Sequence, residues 1–248
     1  MIKKSFLEIN ISLVLFSAFK LSNALETNKV FDRLAQQFQT LIDNNQEISA
    51  IFRNIPGNLN AISSYGCWCN FDNGIGSDAY GLGRSQPLDA FDKACKVLRE
   101  NYRCLDIDGE FCDIHNTEFI SSIGSGGTSE MDRERLILEC AISNANNPCA
   151  EKLCQIEGFF VQTIFKNLFQ DGFIFDNNLD HKNPNFDFDS SCQLHDTNDN
   201  DRYCCGEFPE RWPFKSDGTK ACCVDKLYNT MFKTCCDGSV QDIFSCME

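Results

Sequence analysis

The sequence predicts a mainly α, disulfide-rich fold that ends in a small disulfide-stapled β-hairpin module. Three observations carry that expectation. Sixteen cysteines occur in 248 residues, an even number at a density that reads as a disulfide framework made in an oxidising compartment. Apolar residues recur three or four apart over three long stretches, the period of a helix with one apolar face. Beyond residue 201 the cysteines come as adjacent pairs between segments too short to build a core of their own, the setting in which disulfides staple hairpins. Zinc is the rival use for so many cysteines, but the chain has three histidines and no pair of Cys-x-x-Cys motifs, so disulfides are favoured.

Residues 1–24 read as a signal peptide. Lys3 and Lys4 precede an apolar run that ends near Phe19, and Ser22-Asn23-Ala24 offers small residues for cleavage. Glu8 and Asn10 interrupt the run, which is too short to span a bilayer comfortably, so no transmembrane helix is expected once it is removed. The net charge is −14. Losing three lysines and one glutamate with the signal leaves the remainder at −16, a balance that repels nucleic acid and anionic lipid.

Residues 25–62 form an N-terminal helical segment in which Val30, Leu34, Phe38 and Leu41 share one face before Pro56-Gly57 breaks the chain. The body is assigned to residues 63–175. Pro87 in a first turn, with Asp89 and Asp92 near the positive end of the dipole, starts a helix whose Leu88, Phe91, Cys95, Leu98 and Tyr102 point inward. A Gly/Ser loop follows, and Ser129 with Asp132 is read as a capping pair opening a second helix that runs through Ile142. The third helix carries Cys154, Phe160, Ile164 and Leu168; Gln162, Lys166 and Asp171 make it a core helix rather than a membrane span.

Residues 176–201 are rich in Asn and Asp and read as a solvated linker. In residues 202–248 the pairs Cys204-Cys205, Cys222-Cys223 and Cys235-Cys236 are flanked by Cys192 and Cys246. Neighbouring cysteines bridge each other only with backbone strain, so each is expected to pair at a distance. Tyr228 and Asn229 are placed in a strand and turn, and Asp237-Gly238 in a hairpin turn. Asp196-x-Asn198-x-Asn200 with Glu207 partly matches a calcium loop, but Asp201 stands where the glycine is needed, so a polar turn is favoured.

Tyr65-Gly66-Cys67-Trp68-Cys69, the glycine-rich stretch to Gly83, and the helix from Pro87 through Cys95, Leu98 and Tyr102 resemble the calcium loop and first long helix of secreted phospholipase A2 enzymes. Cys149-x4-Cys154-x-Ile156-Glu157-x-x-Phe160 resembles that family's second catalytic helix, Cys-x4-Cys-x-Cys-Asp-x-x-Ala. The likeness covers roughly residues 63–175 and implies a pair of long antiparallel helices. Two of the family's bridges are missing as whole pairs, with Ala94 and Thr163 at one and Asn101 and Ile156 at the other. The family's pairing implies Cys69 with Cys95, Cys140 with Cys154, Cys149 with Cys104 or Cys112, and a more C-terminal partner for Cys67. The tail, from Cys204-Cys205-Gly206 to Cys235-Cys236-Asp237-Gly238, resembles the imperfect double-cysteine repeats of galaxin-like matrix proteins.

The resemblance implies a chemistry that these residues do not supply. Leu98 holds the position of the histidine that takes a proton from water, and a hydrocarbon accepts none. Arg99 stands for the calcium-binding aspartate, and its charge about 4 Å from a divalent cation would be repelled by about 8 kcal/mol at an effective dielectric near 20. Trp68, Asn70, Gly81 and Gly83 mark a vestigial calcium loop, with Asn70 in place of a glycine. Tyr102 and Glu157 are relics of the network behind the histidine; Arg99-Glu100 and His115 are the off-register alternatives, and His115 is read as a surface residue. If the register is right, Leu98, Arg99, Tyr102 and Glu157 converge on one pocket. The expectation is a secreted protein without catalysis or cofactor, calcium included, that meets an extracellular or cell-surface protein or a lipid. The alternatives are a calcium-dependent phospholipase A2 and a lipid-binding protein that keeps the hydrophobic slot.

Overall fold

The computed structural model describes residues 29–30, 32–43, 64–70, 86–109, 112–121, 133–169, 176–192 and 203–246. The signal segment, Gly81, Gly83, the Ser129/Asp132 pair and residues 193–202 of the linker lie outside them. The elements are α1 (residues 32–43), β1 (Ser64–Tyr65), β2 (Cys69–Asn70), α2 (Ala90–Ile107), α3 (Arg133–Ser143), α4 (Pro148–Phe169), a 3-10 turn (Asn177–Leu179) and α5 (Phe188–Ser191). Three hairpins follow: β3 (Tyr203–Cys205) with β4 (Trp212–Phe214), β5 (Lys220–Cys223) with β6 (Lys226–Asn229), and β7 (Lys233–Cys236) with β8 (Ser239–Asp242).

This architecture corrects the mainly α expectation and its long antiparallel helix pair. Among the described residues 46% are helical and 17% lie in strands, with five helices beside small antiparallel hairpins. The hairpins are expected from the sequence, but with two to four residues per strand and no alternating apolar face they give no periodicity from which to weigh their share.

One core joins α1, the β1–β2 turn, α2 and α4. Val30, Leu34, Phe38 and Ile42 of the first helical stretch are buried in it, and Leu41 is only partly covered, so the fourth buried position is one residue later than the pattern suggested. In α2, Phe91, Cys95, Leu98 and Tyr102 point inward, whereas Leu88 precedes the helix and is exposed. Pro87 lies outside the first turn. Asp89 is the N-cap, its side chain accepting the Asp92 amide at 2.8 Å.

The 176–192 stretch is not a solvated linker. The His181 amide donates to the Ser64 carbonyl and the Gly66 amide to the Leu179 carbonyl, each at 2.9 Å. Cys192 is fully buried and bonded to Cys67. Polar Asn/Asp turns here satisfy their own backbone and so ride on the core instead of swelling into water.

Eight disulfides use all sixteen cysteines, with Cα separations from 5.1 to 6.0 Å. Cys69 joins Cys95, Cys140 joins Cys154 and Cys112 joins Cys149. Cys104, the other candidate for Cys149, joins Cys204. The double cysteines then form a relay: Cys205 to Cys222, Cys223 to Cys235 and Cys236 to Cys246. Successive residues of a strand face opposite sides, so one cysteine of each pair reaches back and the next reaches forward. No described helix is long and apolar enough to cross a membrane. The disulfides fit a secreted or extracellular protein.

Candidate functional site

The four degenerate positions do not meet in one pocket; the structure divides them among three environments. Leu98 is fully buried and lines a cavity of about 270 Å³ between α2 and α4. Its floor includes Leu98, Ile156 and Phe160, and Lys93, Asn167 and Glu210 contribute polar groups. Ala94 and Thr163, the residues at one of the missing bridges, line the same cavity. Arg99, Tyr102 and Glu157 do not line it. Each of these three side chains is instead engaged by partners of its own.

Tyr102 and Glu157 do come together, one turn deeper along the two helices. The tyrosine hydroxyl donates to Glu157 Oε1 at 3.0 Å. The other partners come from α1: Arg33 Nη2 donates to Oε1 at 2.7 Å and Gln37 Nε2 to Oε2 at 3.1 Å. Arg33 also donates to the Ile114 and His115 carbonyls at 2.6 and 3.2 Å. Glu157 has no exposed surface. Burial pushes its carboxyl above the ordinary glutamate range, while the charge of Arg33 and the donated hydrogen bonds pull it back. Burial also lowers the Arg33 guanidinium, but the adjacent carboxylate outweighs it and holds Arg33 above its usual value. A carboxylate enclosed this way anchors a helix and has no open side from which to serve a substrate.

Arg99 faces the β1–β2 turn, where its Nε donates to the Trp68 carbonyl at 2.5 Å. Gly66 makes the turn possible: its φ is +60°, and a Cβ there would lie 2.5 Å from Asp92 Cγ. Buried Asp92 ties the turn to α2, accepting from the Trp68 amide at 2.7 Å and the Leu88 amide at 3.0 Å. Burial raises the Asp92 carboxyl, against the lowering effect of these amide bonds. Among the described residues the donors do not fit calcium, because a fixed guanidinium sits on a carbonyl of the segment that would have to turn its oxygens to the ion. Asn70 ends β2, and no cluster of three or more metal-ligating side chains occurs among the described residues.

Sequence reasoning missed the residues that assemble the parts. Arg33 and Gln37 were legible in principle, since they lie four apart beside the apolar face of α1. Asn101, read only as a lost cysteine, is fully buried and clamps the first hairpin: its Nδ2 donates to the Pro209 carbonyl at 2.8 Å, and its Oδ1 accepts the Arg211 amide at 3.0 Å. Arg211 then pairs with Asp108 through two contacts, 2.8 and 3.0 Å. His181 stacks on Phe186 and binds the Gly66 carbonyl through Nε2 at 2.6 Å. No protein-family model matches this chain, and neither a curated protein nor a solved structure matches it at a significant level.

Proposed function

We propose that this chain is an extracellular, disulfide-stapled protein that binds or assembles and does not hydrolyse, although of the four phospholipase A2-like positions only Tyr102 and Glu157 converge. The observation that carries the reading is the hydrogen bond from Arg99 to the Trp68 carbonyl, which puts a permanent cation where the resemblance asks for calcium. Leu98 presents hydrocarbon at the histidine position, and Glu157 is fully engaged by Arg33, Gln37 and Tyr102. The hairpin relay supports a matrix or cell-surface setting through its likeness to galaxin-like repeats. The test is incubation of the purified full chain with phosphatidylcholine vesicles and calcium. No fatty-acid release and no heat of calcium binding are expected; release that a chelator abolishes would overturn the reading.

A second reading, a carrier of one apolar ligand, is favoured by the 270 Å³ cavity and its Leu98, Ile156 and Phe160 floor. Lipid recovered by solvent extraction of the purified protein supports it, and protein that carries none and takes up no fatty acid excludes it.

A further inference from the structure

Among the described residues, four of the eleven exposed large apolar side chains lie at the far end of the hairpin relay. Met231, Phe232, Ile243 and Phe244 are 63, 64, 40 and 81% exposed, although each belongs to a segment fixed by the β7–β8 ladder and its flanking disulfides. Phe232 and Ile243 are the next residues beyond the Lys233–Asp242 pair that closes the ladder, and the Ile243 amide donates to the Phe232 carbonyl at 3.3 Å. The four side chains therefore belong to one open end of one hairpin. Burial decreases along the relay: Cys205 and Phe214 are buried in the first hairpin and Cys223 in the second, while no residue from 231 to 246 is buried.

We propose that this open end is a shallow insertion site for a zwitterionic lipid interface. Two observations favour lipid over a strand-pairing protein partner. Inside hydrocarbon a backbone N–H must find its partner within the protein, and the Met231, Phe232, Ile243 and Ser245 amides do so. The Met231 amide donates to Asn229 Oδ1 at 2.8 Å, the Phe232 amide to the Asn229 carbonyl at 3.2 Å, and the Ser245 amide to the Asp242 carbonyl at 2.9 Å. A strand-pairing partner would instead need such groups free. The second observation is charge. Residues 220–246 contain three lysines and three aspartates in a chain of net charge −14, and Lys233 Nζ pairs with Asp242 at 2.7 Å beside the patch. A neutral tip on an acidic body can approach a zwitterionic surface, whereas anionic lipid repels the rest of the molecule. The aromatic and thioether side chains suit the headgroup boundary. This proposal is independent of Leu98 and Arg99, since a lipid-hydrolysing chain could carry the same tip.

The experiment is flotation of the full chain with phosphatidylcholine vesicles, with and without phosphatidylserine. Binding to phosphatidylcholine is expected, weaker when phosphatidylserine is added at low salt, and reduced about tenfold in Phe244→Asp. That variant is accepted only with an unchanged far-ultraviolet spectrum and eight disulfides by mass. Phe244→Trp guards against misfolding of the aspartate variant and should show a blue-shifted emission on vesicles. The proposal is overturned if the native chain does not float with phosphatidylcholine, if binding requires phosphatidylserine, or if Phe244→Asp stays bound. A Phe244→Trp emission unmoved by vesicles also overturns it, as does a solution dimer that Phe244→Asp dissociates, which would make the tip a contact between copies.

Discussion

Arg33 reaches from α1 into the interface between α2 and α4 and meets the Glu157 carboxylate at 2.7 Å, across 124 residues of sequence. No cysteine occurs before Cys67, so α1 is held to a disulfide-stapled body by apolar contacts and this cluster. Breaking one side of such a pair leaves a buried charge without its counter-ion. Arg33→Met alone is expected to cost about 3 kcal/mol, and the double variant Arg33→Met, Glu157→Met to recover much of it. Chemical denaturation of the native chain, of Arg33→Met, of Glu157→Met and of the double variant, with disulfides intact, provides the double-mutant cycle, and strictly additive effects would refute the coupling.

The two buried carboxyls set the sign of the pH dependence. Glu157 and Asp92 are both raised by burial, so the folded state binds their protons more tightly than the unfolded chain does. Their stabilising contribution is fully present below the ordinary carboxylate range and is lost as pH rises through the folded values. The exposed Asp113, Asp187 and Asp217 are lowered by hydrogen bonds that their side chains accept, and they withdraw support only as pH falls through their depressed values. Melting temperature should therefore rise on mild acidification from neutrality, with a shallower slope in Asp92→Asn. A melting temperature that falls steadily from pH 7 to 5 contradicts this assignment.

Val224 carries a positive φ of 58° in the two-residue turn between β5 and β6. A β-branched side chain in that region is strained by about 1 to 2 kcal/mol. Val224→Asn keeps the carbonyl that accepts the Gly206 amide at 2.9 Å and is expected to stabilise the tail by about 1 kcal/mol. Differential scanning calorimetry checks it.

Gly66 is the opposite case, because both its φ of +60° and the space it leaves are used. Gly66→Ala should push Asp92 away from the Trp68 amide and cost about 2 kcal/mol or more. Loss of protection of the Trp68 amide in hydrogen exchange is the specific signature, and retention of that protection argues against the clamp.

Asn101→Ala removes both hydrogen bonds that seat the first hairpin on α2 while leaving Cys104–Cys204 in place. An expected loss of about 1 to 3 kcal/mol follows from leaving the Pro209 carbonyl and Arg211 amide unpaired. Faster exchange over residues 203–214, with α2 and α4 unchanged, distinguishes local undocking from global destabilisation.

The sequence by itself determined what short-range pattern and covalent chemistry can encode. The buried faces of α1 and α2 follow from apolar spacing, the Asp237-Gly238 turn from its residue pair, and the distant pairing of adjacent cysteines from the backbone strain of a bridge between neighbours. Cys69–Cys95 and Cys140–Cys154 also follow the pairing that the resemblance implied. Only the tertiary structure decided that Leu98, Arg99 and Glu157 part company, that the 176–192 stretch folds back on the β1–β2 turn, and that Asn101 seats the tail. The physical reason is that a buried polar group is paid for by whichever partner the packing brings within hydrogen-bond reach. For Glu157 and Asn101 those partners include residues more than 100 positions away, beyond any periodicity along the chain.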